Sequence, residues 1–455
     1  MQAIEQFLAD FSGFAWGPHL LVLLIGGGLF FIIYIRFLPY KYFGHAIDIL
    51  RGKYDDPNEE GQLTHYEALS TAIAATVGMG NISGVAVAIT MGGPGALVWM
   101  WISALIGICT KFFTCTLAIM YRGKDSQGET QGGPMYVIVE GLGKKWKPLA
   151  LFFSVAGLFG ALPAFQANQL TATISSVLLE PNGVDVTFNS NLITGIIIAI
   201  IVSAVIFGGI KRIGSVAARL VPVMVAVYVV SVLFILIRNI DQILPSFQVI
   251  FEDAFSGNAV LGGALGALII MGVRRAAFSN EAGIGTAPMA HGAAKTNEPV
   301  REGLIAMLGP VIDTIIVCTM TALAIIITGV WEGKAGEGNV EGITVTIEAF
   351  EQAMPGIGSW VLMACVLIFS FTTLFSFSYY GTKCLGFLAG AEYQHLYNYF
   401  YVFSILISAV VSLSAVINLI DGFYGLMAIP TMVSALLLAP KVRAEARAYI
   451  KRTFS

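Results

Sequence analysis

The sequence predicts an all-α protein that crosses a membrane many times, and three observations carry that expectation. Hydrophobic residues fill 56% of the 455 positions and charged residues only 12%, with a mean hydropathy of +0.80. So few charges cannot cover a soluble protein of this length, which places much of the surface against lipid. Apolar stretches near the ~20 residues that cross a bilayer recur along the chain, and the basic residues between them alternate sides.

Eleven such stretches are read in order: 17–37, 67–90, 94–120, 148–178, 190–208, 214–237, 258–292, 303–330, 357–382, 398–419 and 422–440. Helices are required because lipid offers the backbone no hydrogen-bond partners, and no alternating ten-residue pattern supports a barrel. The first 18 residues hold Glu5 and Asp10 but no Lys or Arg, so the first stretch reads as a retained span rather than a cleaved signal. Arg36, Lys41, Arg51 and Lys53 follow span one, and five basic residues from Arg122 to Lys147 follow span three. Lys211, Arg212 and Arg219 follow span five; Lys295 and Arg301 follow span seven; Lys383 follows span nine. With five more in the tail, 20 of the 25 basic residues share one side, which predicts an outside amino terminus and a cytoplasmic carboxyl terminus in the cell membrane. The segment 132–147 is expected to lie along the inner surface. The amphipathic segment 345–356 lies outside, as a lid or as a surface connector.

Without span one, ten spans remain as five plus five: residues 1–66 form a leading helix and loop, 67–240 the first repeat, 241–440 the second, and 441–455 a basic tail. Span two enters from inside and span seven from outside, so the halves are inverted. Each opens on a glycine-interrupted helix, "VGMGN" at 77–81 and "AAFSNEAGIGTAP" at 276–288. Paired broken helices in opposed halves point to a secondary transporter.

Unwinding frees carbonyls that can coordinate Na⁺ and amides that attract a carboxylate. Around the first break Thr76, Asn81 and Ser83 add side-chain oxygens beside Gly78, Met79 and Gly80. In the second, Ser279, Asn280 and Glu281 are costly in lipid unless they face a cavity, and Arg274 and Arg275 stand ready to pair with Glu281. The break lies somewhere between Met271 and Gly285. Gln166 and Gln169 share a helical face at i, i+3 spacing, as substrate ligands or as glue between helices. Asp313 is a carboxylate in span eight, functional or paired with Arg274 or Arg275. Ser370, Thr372, Thr373 and Ser376 offer hydroxyls in span nine, and Lys111 pairs or snorkels in span three. Phe278 beside the second break is placed to cover a small substrate, or simply to pack.

The stretches "TAIAATVGMGNISGVAVAITMGGPGALVWMW" and "AAFSNEAGIGTAPMAHGAAKTNEPVREGL" resemble the signature segments of the alanine/glycine:cation symporters, as do "GPVIDTIIVCTMTAL" and "FSFTTLFSFSYYGTKC". The resemblance runs from about Glu67 to Pro440. It implies the leucine-transporter-type five-plus-five inverted repeat with one extra helix in front, and Na⁺-coupled, in some members proton-coupled, uptake of alanine or glycine. By similarity of "AATVGMGN" to the first core helix of that wider fold, the Thr76 carbonyl and Asn81 amide belong to a first Na⁺ site. The Ala74 and Val77 carbonyls, with the Thr372 and Thr373 hydroxyls, form a second. Asp313 stands roughly where the wider fold uses an asparagine, a departure at the first site.

The implied mechanism sets a substrate carboxylate on the amides of Gly78 to Asn81. The ammonium lies near Gln166 or Gln169 and near the second break from Ala276 through Ser279 and Asn280. No basic block favours nucleic acid. A serine hydrolase in the membrane needs a histidine there, yet His19, His45, His65, His291 and His395 fall at span ends or in loops. A channel would carry a repeated filter around a symmetry axis, and none is visible. The five cysteines lack ligand spacing and read as reduced packing thiols, so no cofactor is expected beyond Na⁺ as coupling ion.

Overall fold

Continuous apolar runs become helices, and polar or glycine interruptions set where they end. The computed structural model describes residues 2–54, 59, 61–255, 264–334 and 342–454. An amphipathic α1 (Gln2–Ala15) packs on the last helix of the chain and bends by 42° into α2 (Pro18–Tyr34). After α3 (Phe43–Leu50), a capping box of Thr64 and Glu67 starts α4 (His65–Thr76). Then come α5 (Met79–Gly92), α6 (Ala96–Met120) and a two-residue hairpin, β1 (Gly123–Lys124) with β2 (Thr130–Gln131). Next follow α7 (Lys147–Gly160), α8 (Ala164–Ile174), α9 (Phe188–Ile206), α10 (Gly209–Arg238) and α11 (Ile240–Ala254). The second half holds α12 (Ala264–Asn280), α13 (Ala287–His291), α14 (Pro299–Thr328), α15 (Gly342–Ala353), α16 (Gly358–Ala389), α17 (Leu396–Val410) and α18 (Leu413–Phe454).

Burial orders these helices by layer. The apolar window of α4–α5 is 100% buried, whereas those of α9 and α10 are 33% and 28% buried. The first broken helix is therefore the centre of the bundle, and α9 and α10 keep an apolar outer face for lipid. α4 packs on α10, α13 and α16; α5 packs on α12 and α15; α6 receives α12 and α14.

Among the described residues eight helices are long and apolar enough to cross a membrane, nine with the bent α1–α2 pair. Of the remaining expected spans, α12 has 17 described residues and α17 has 15. Residues 258–263 of the expected seventh span lie outside the described residues, as does the 335–341 part of the acidic loop.

Several boundaries differ from expectation for physical reasons. The last two spans divide at Val411–Ser412, not at 419–422, because Asn168 from α8 takes the Ser408 and Val411 carbonyls at 3.1 and 2.8 Å and so ends α17 there. The described residues of the basic tail 441–455 are helical and continue α18 to Phe454. The first half of 132–147 does not lie on the surface. Residues 132–138 are buried, and Gly132 packs so closely on Gly292 that an added Cβ would meet its Cα at 2.6 Å. The segment 345–356 does form a helix, α15, seated on α5 through Thr346 and the Ile82 carbonyl at 3.3 Å. Its end is fixed by Glu351, whose carboxylate is held below its ordinary range by the Ser359 and Gly356 amides and the Ser359 hydroxyl. Helices α1 and α11 were not expected.

Candidate functional site

The first break is two residues long. Val77 is extended, with ψ 95°, and Gly78 adopts φ −159°, ψ −145°. The Gly78 amide donates to Asn81 Oδ1 at 2.8 Å instead of to a carbonyl one turn back, and the Asn81 amide donates to the Gly78 carbonyl at 3.1 Å. Asn81 thereby caps α5 with its own side chain. The Ala74 carbonyl, deprived of its i+4 donor, receives the Thr373 hydroxyl from α16 at 2.9 Å. A Cβ at Gly78 would stand 2.4 Å from that hydroxyl oxygen, so only glycine lets α16 approach here. Thr76 spends its hydroxyl on the Ala72 carbonyl at 3.0 Å, leaving its contribution to the backbone.

The second break runs from Glu281 to Thr286, at the far end of the expected interval and one residue beyond its Gly285 limit. Glu281, Gly283 and Gly285 have φ of 56°, 84° and 109°. The Ala282 amide turns to Asn280 Oδ1 at 2.9 Å, so the Phe278 carbonyl loses its helical donor. Asn280 Nδ2 donates to Thr314 at 3.0 Å. Glu281 pairs with neither arginine. Its carboxylate accepts Thr286 Oγ1 at 2.5 Å and Tyr424 OH at 3.2 Å. Arg274 and Arg275 both turn to Asp421 in the third turn of α18, Arg275 by a direct hydrogen bond. The reason is tertiary: Asp421 is fully buried and needs a positive partner, and its carbonyl is held by the Trp16 indole at 2.7 Å.

Asp313 joins the two breaks. It lies in a π-helical stretch of α14, Val311–Cys318, a widened turn of the kind that re-aims functional side chains. Asn81 Nδ2 donates to its Oδ1 at 2.7 Å and to its carbonyl at 3.0 Å; Ser279 and Thr314 donate to its Oδ2 at 2.8 and 2.6 Å. The arginine pair weighed for it from sequence is absent. Lys111 does not snorkel: it is 1% exposed, within electrostatic reach of Glu281 and Asp313.

The remaining candidates divide. Gln169 is committed, accepting from Ser83 and donating to Asn168 at 3.1 Å. Gln166 is 4% exposed, and its Oε1 is buried without a hydrogen-bond partner among the described residues, which is expensive unless something else supplies a donor. Phe278 lies across the first break: a Cβ on Gly80 would meet its ring at 3.4 Å, and Phe165 packs edge-on at 4.9 Å. Met79 is fully buried beside them. Thr372 bonds the Ile368 and Phe369 carbonyls and Met224 Sδ, so of the hydroxyl pair only Thr373 bonds the break. Sequence reading passed over Thr314 and Tyr424. Thr314 adjoins Asp313, which was a signal; Tyr424 looked like one more membrane aromatic. No group of three or more metal-ligating His, Cys, Asp or Glu occurs among the described residues.

This geometry agrees with the comparisons. The model of the sodium:alanine symporter family matches residues 1–454. The sodium/alanine symporter AgcS of Methanococcus maripaludis is 40% identical over 443 residues, covering 96% of this chain and 95% of that protein. The putative sodium/proton-dependent alanine carrier YrbD of Bacillus subtilis is 34% identical over 399 residues, 85% of this chain and 79% of that one. Among solved structures, MhsT in complex with L-phenylalanine superposes with a TM-score of 0.60 at 12% identity, covering 86% of this chain and 99% of that one; this likeness establishes the leucine-transporter-like fold. The chain is a multi-pass membrane transporter, not an enzyme, and it belongs to the sodium:alanine symporter family.

Proposed function

We propose that the chain is a Na⁺-coupled symporter that carries small neutral amino acids, alanine and glycine, into the cell by alternating access. The observation that carries this reading is Asp313, bonded to Asn81 at the first break and Ser279 at the second. One carboxylate thus ties both unwound segments into a single polar centre. In this reading eleven spans place the amino terminus outside, 67–240 and 241–440 are inverted repeats, and their two broken helices face each other at mid-membrane.

Na⁺ takes oxygen ligands at the first break. The Ala74 and Val77 carbonyls with the Thr373 hydroxyl suit one ion, and the Thr76 carbonyl, Asn81 amide and Asp313 carboxylate suit another. Thr372 is a weaker candidate than Thr373, because its hydroxyl is engaged elsewhere. The substrate carboxylate meets the amino end of α5. Gly78 and Asn81 already bond each other, so Met79 and Gly80 are the amides left to it. Its ammonium meets the open Oε1 of Gln166 and the freed Phe278 carbonyl, with Ser279 and Asn280 shaping the wall. Gln169 then supports Ser83 rather than the ligand. Crowding by Met79, Phe165 and Phe278 favours a small side chain. The family likeness supports Na⁺; the description of YrbD as a sodium/proton-dependent carrier keeps a proton-coupled variant as the second reading.

In proteoliposomes an inward Na⁺ gradient should drive saturable L-alanine accumulation that carries net positive charge. Replacing Na⁺ by K⁺ should lower the initial rate by about tenfold or more, the scale of ordinary coupling free energies. Equal rates in both ions would contradict Na⁺ coupling. Uptake driven by a pH gradient without Na⁺ would select the proton reading, and substrate-free conductance a channel.

A further inference from the structure

Away from the central site, the inner ends of both broken helices converge on one side chain. His65 is the first residue of α4, His291 the last of α13, and Glu302 lies in the first turn of α14. The two imidazole Nδ1 atoms stand 2.5 Å from the two oxygens of the Glu302 carboxylate, one on each. All three side chains are 1% exposed or less. The backbone repeats the connection: Leu63 and Ala294 form a parallel bridge, the Leu63 amide donates to the Ala293 carbonyl at 3.1 Å, and the Lys295 amide to the Leu63 carbonyl at 2.6 Å. Arg122, at the end of α6, gathers the carbonyls of Gly292, Ala294 and Thr296.

We propose that Glu302 is the inner latch of the transport cycle: through His65 and His291 it holds the inner halves of both broken helices together, and it must be released before the central site opens inward. The proposal rests on the alternating-access reading, though not on the identity of the substrate. A helix that is already unwound at its middle can swing its outer half or inner half without remaking hydrogen bonds along its length. What resists the swing then lies at the far end. The 12 residues of α4 make a lever of roughly 18 Å between the first break and His65. Among the described residues, Glu302 is hydrogen-bonded to both inner halves, to His65 of α4 and to His291 of α13.

The chemistry suits a two-position device. In its Nδ1–H tautomer a neutral imidazole donates to the carboxylate as a charged one does, so closure needs no permanent buried cation. Separating the halves while dry would leave a bare carboxylate, which is costly. Separating them into water would not. The latch therefore favours fully closed or fully wetted states over intermediate ones, as alternating access demands. Gly303, next to Glu302, carries α14 onto α6 where any Cβ would strike Thr116, so the carboxylate's own helix stays fixed while α4 and α13 can leave.

Two measurements test this on the full-length protein. Cys115 is fully buried in a small cluster with Ala287 of α13 and Ala306 of α14, beside Glu302, and serves as reporter once the other four cysteines are replaced. In inside-out vesicles without substrate, Glu302→Gln should speed modification of Cys115 by an impermeant methanethiosulfonate about tenfold, and His291→Gln should act in the same direction. Unchanged rates would overturn the latch. Independently, cysteines at Leu63→Cys and Ala294→Cys lie where a disulfide can form. Oxidised, this variant should retain Na⁺-dependent alanine binding but lose uptake by about tenfold or more, with recovery on reduction. Full uptake through a quantitatively cross-linked chain would overturn the proposal even if Glu302→Gln fails to fold. A chain inactive toward alanine in reduced form, yet with faster Cys115 labelling in Glu302→Gln, would instead sink the substrate reading and leave the latch standing.

Discussion

Asp313 is fully buried and accepts from three side chains on three separate stretches of backbone, Asn81, Ser279 and Thr314. Asp313→Asn keeps the shape but turns an acceptor into a donor facing the Asn81 amide or the Ser279 hydroxyl. One mismatched buried pair costs roughly 1–3 kcal/mol, about a tenfold to hundredfold loss of affinity. Na⁺ titration of the purified variant should show that weakening, and wild-type affinity would remove Asp313 from the ion site. Much of this centre was legible from residue type alone, since Asn81, Ser279 and Asp313 are each costly in lipid and so each demand a reason. Their pairing was not legible: Asn81 and Asp313 are 232 positions apart. Separations of 146 and 237 positions likewise hid Asp421 from Arg275 and Glu302 from His65, and local proximity wrongly suggested Glu281 as the arginine partner.

At the scale of elements, the breaks are built from glycines that serve different ends. Gly78 has no left-handed backbone and is needed for close approach by Thr373. Gly285 needs both, with φ 109° and an added Cβ 2.4 Å from Thr431 Oγ1 and 2.6 Å from the Phe153 ring. Gly285→Ala should therefore destabilise the fold by roughly 2–4 kcal/mol, strain and overpacking together. Gly128, in the hairpin turn, has φ 84° but nothing within 4 Å, so Gly128→Ala should cost only the strain, roughly 1–2 kcal/mol. Thermal unfolding in one detergent should rank the two in that order; equal midpoints would contradict the packed geometry of the second break. The glycine clusters announced both breaks in the sequence, because local backbone freedom is a local property. The division at Val411–Ser412 was hidden, because Asn168 in α8 imposes it from outside. Helices α1 and α11 were missed since amphipathic helices lack the continuous apolar run that marks a span.

For the whole molecule, burial falls from the central α4–α5 to α9 and α10 at the lipid face, which places the two unwound segments where water and lipid are both excluded. A dry centre strengthens every ion–dipole contact within it. It also means that ion and amino acid, if they share the walls set by Asp313, stabilise the same arrangement of α5, α12 and α14. Class and multi-pass architecture followed from composition and periodicity, which are global and need no partners. The meeting of His65 and His291 on Glu302 required the folded chain. Shared walls make one demand that no separate pair of sites would meet, because binding free energies couple reciprocally. The direct measurement is the Na⁺ dissociation constant of the purified protein with and without saturating L-alanine, beside the alanine constant with and without Na⁺. A common site predicts that each ligand tightens the other by the same factor, about tenfold or more. Two constants unmoved by the other ligand would contradict it.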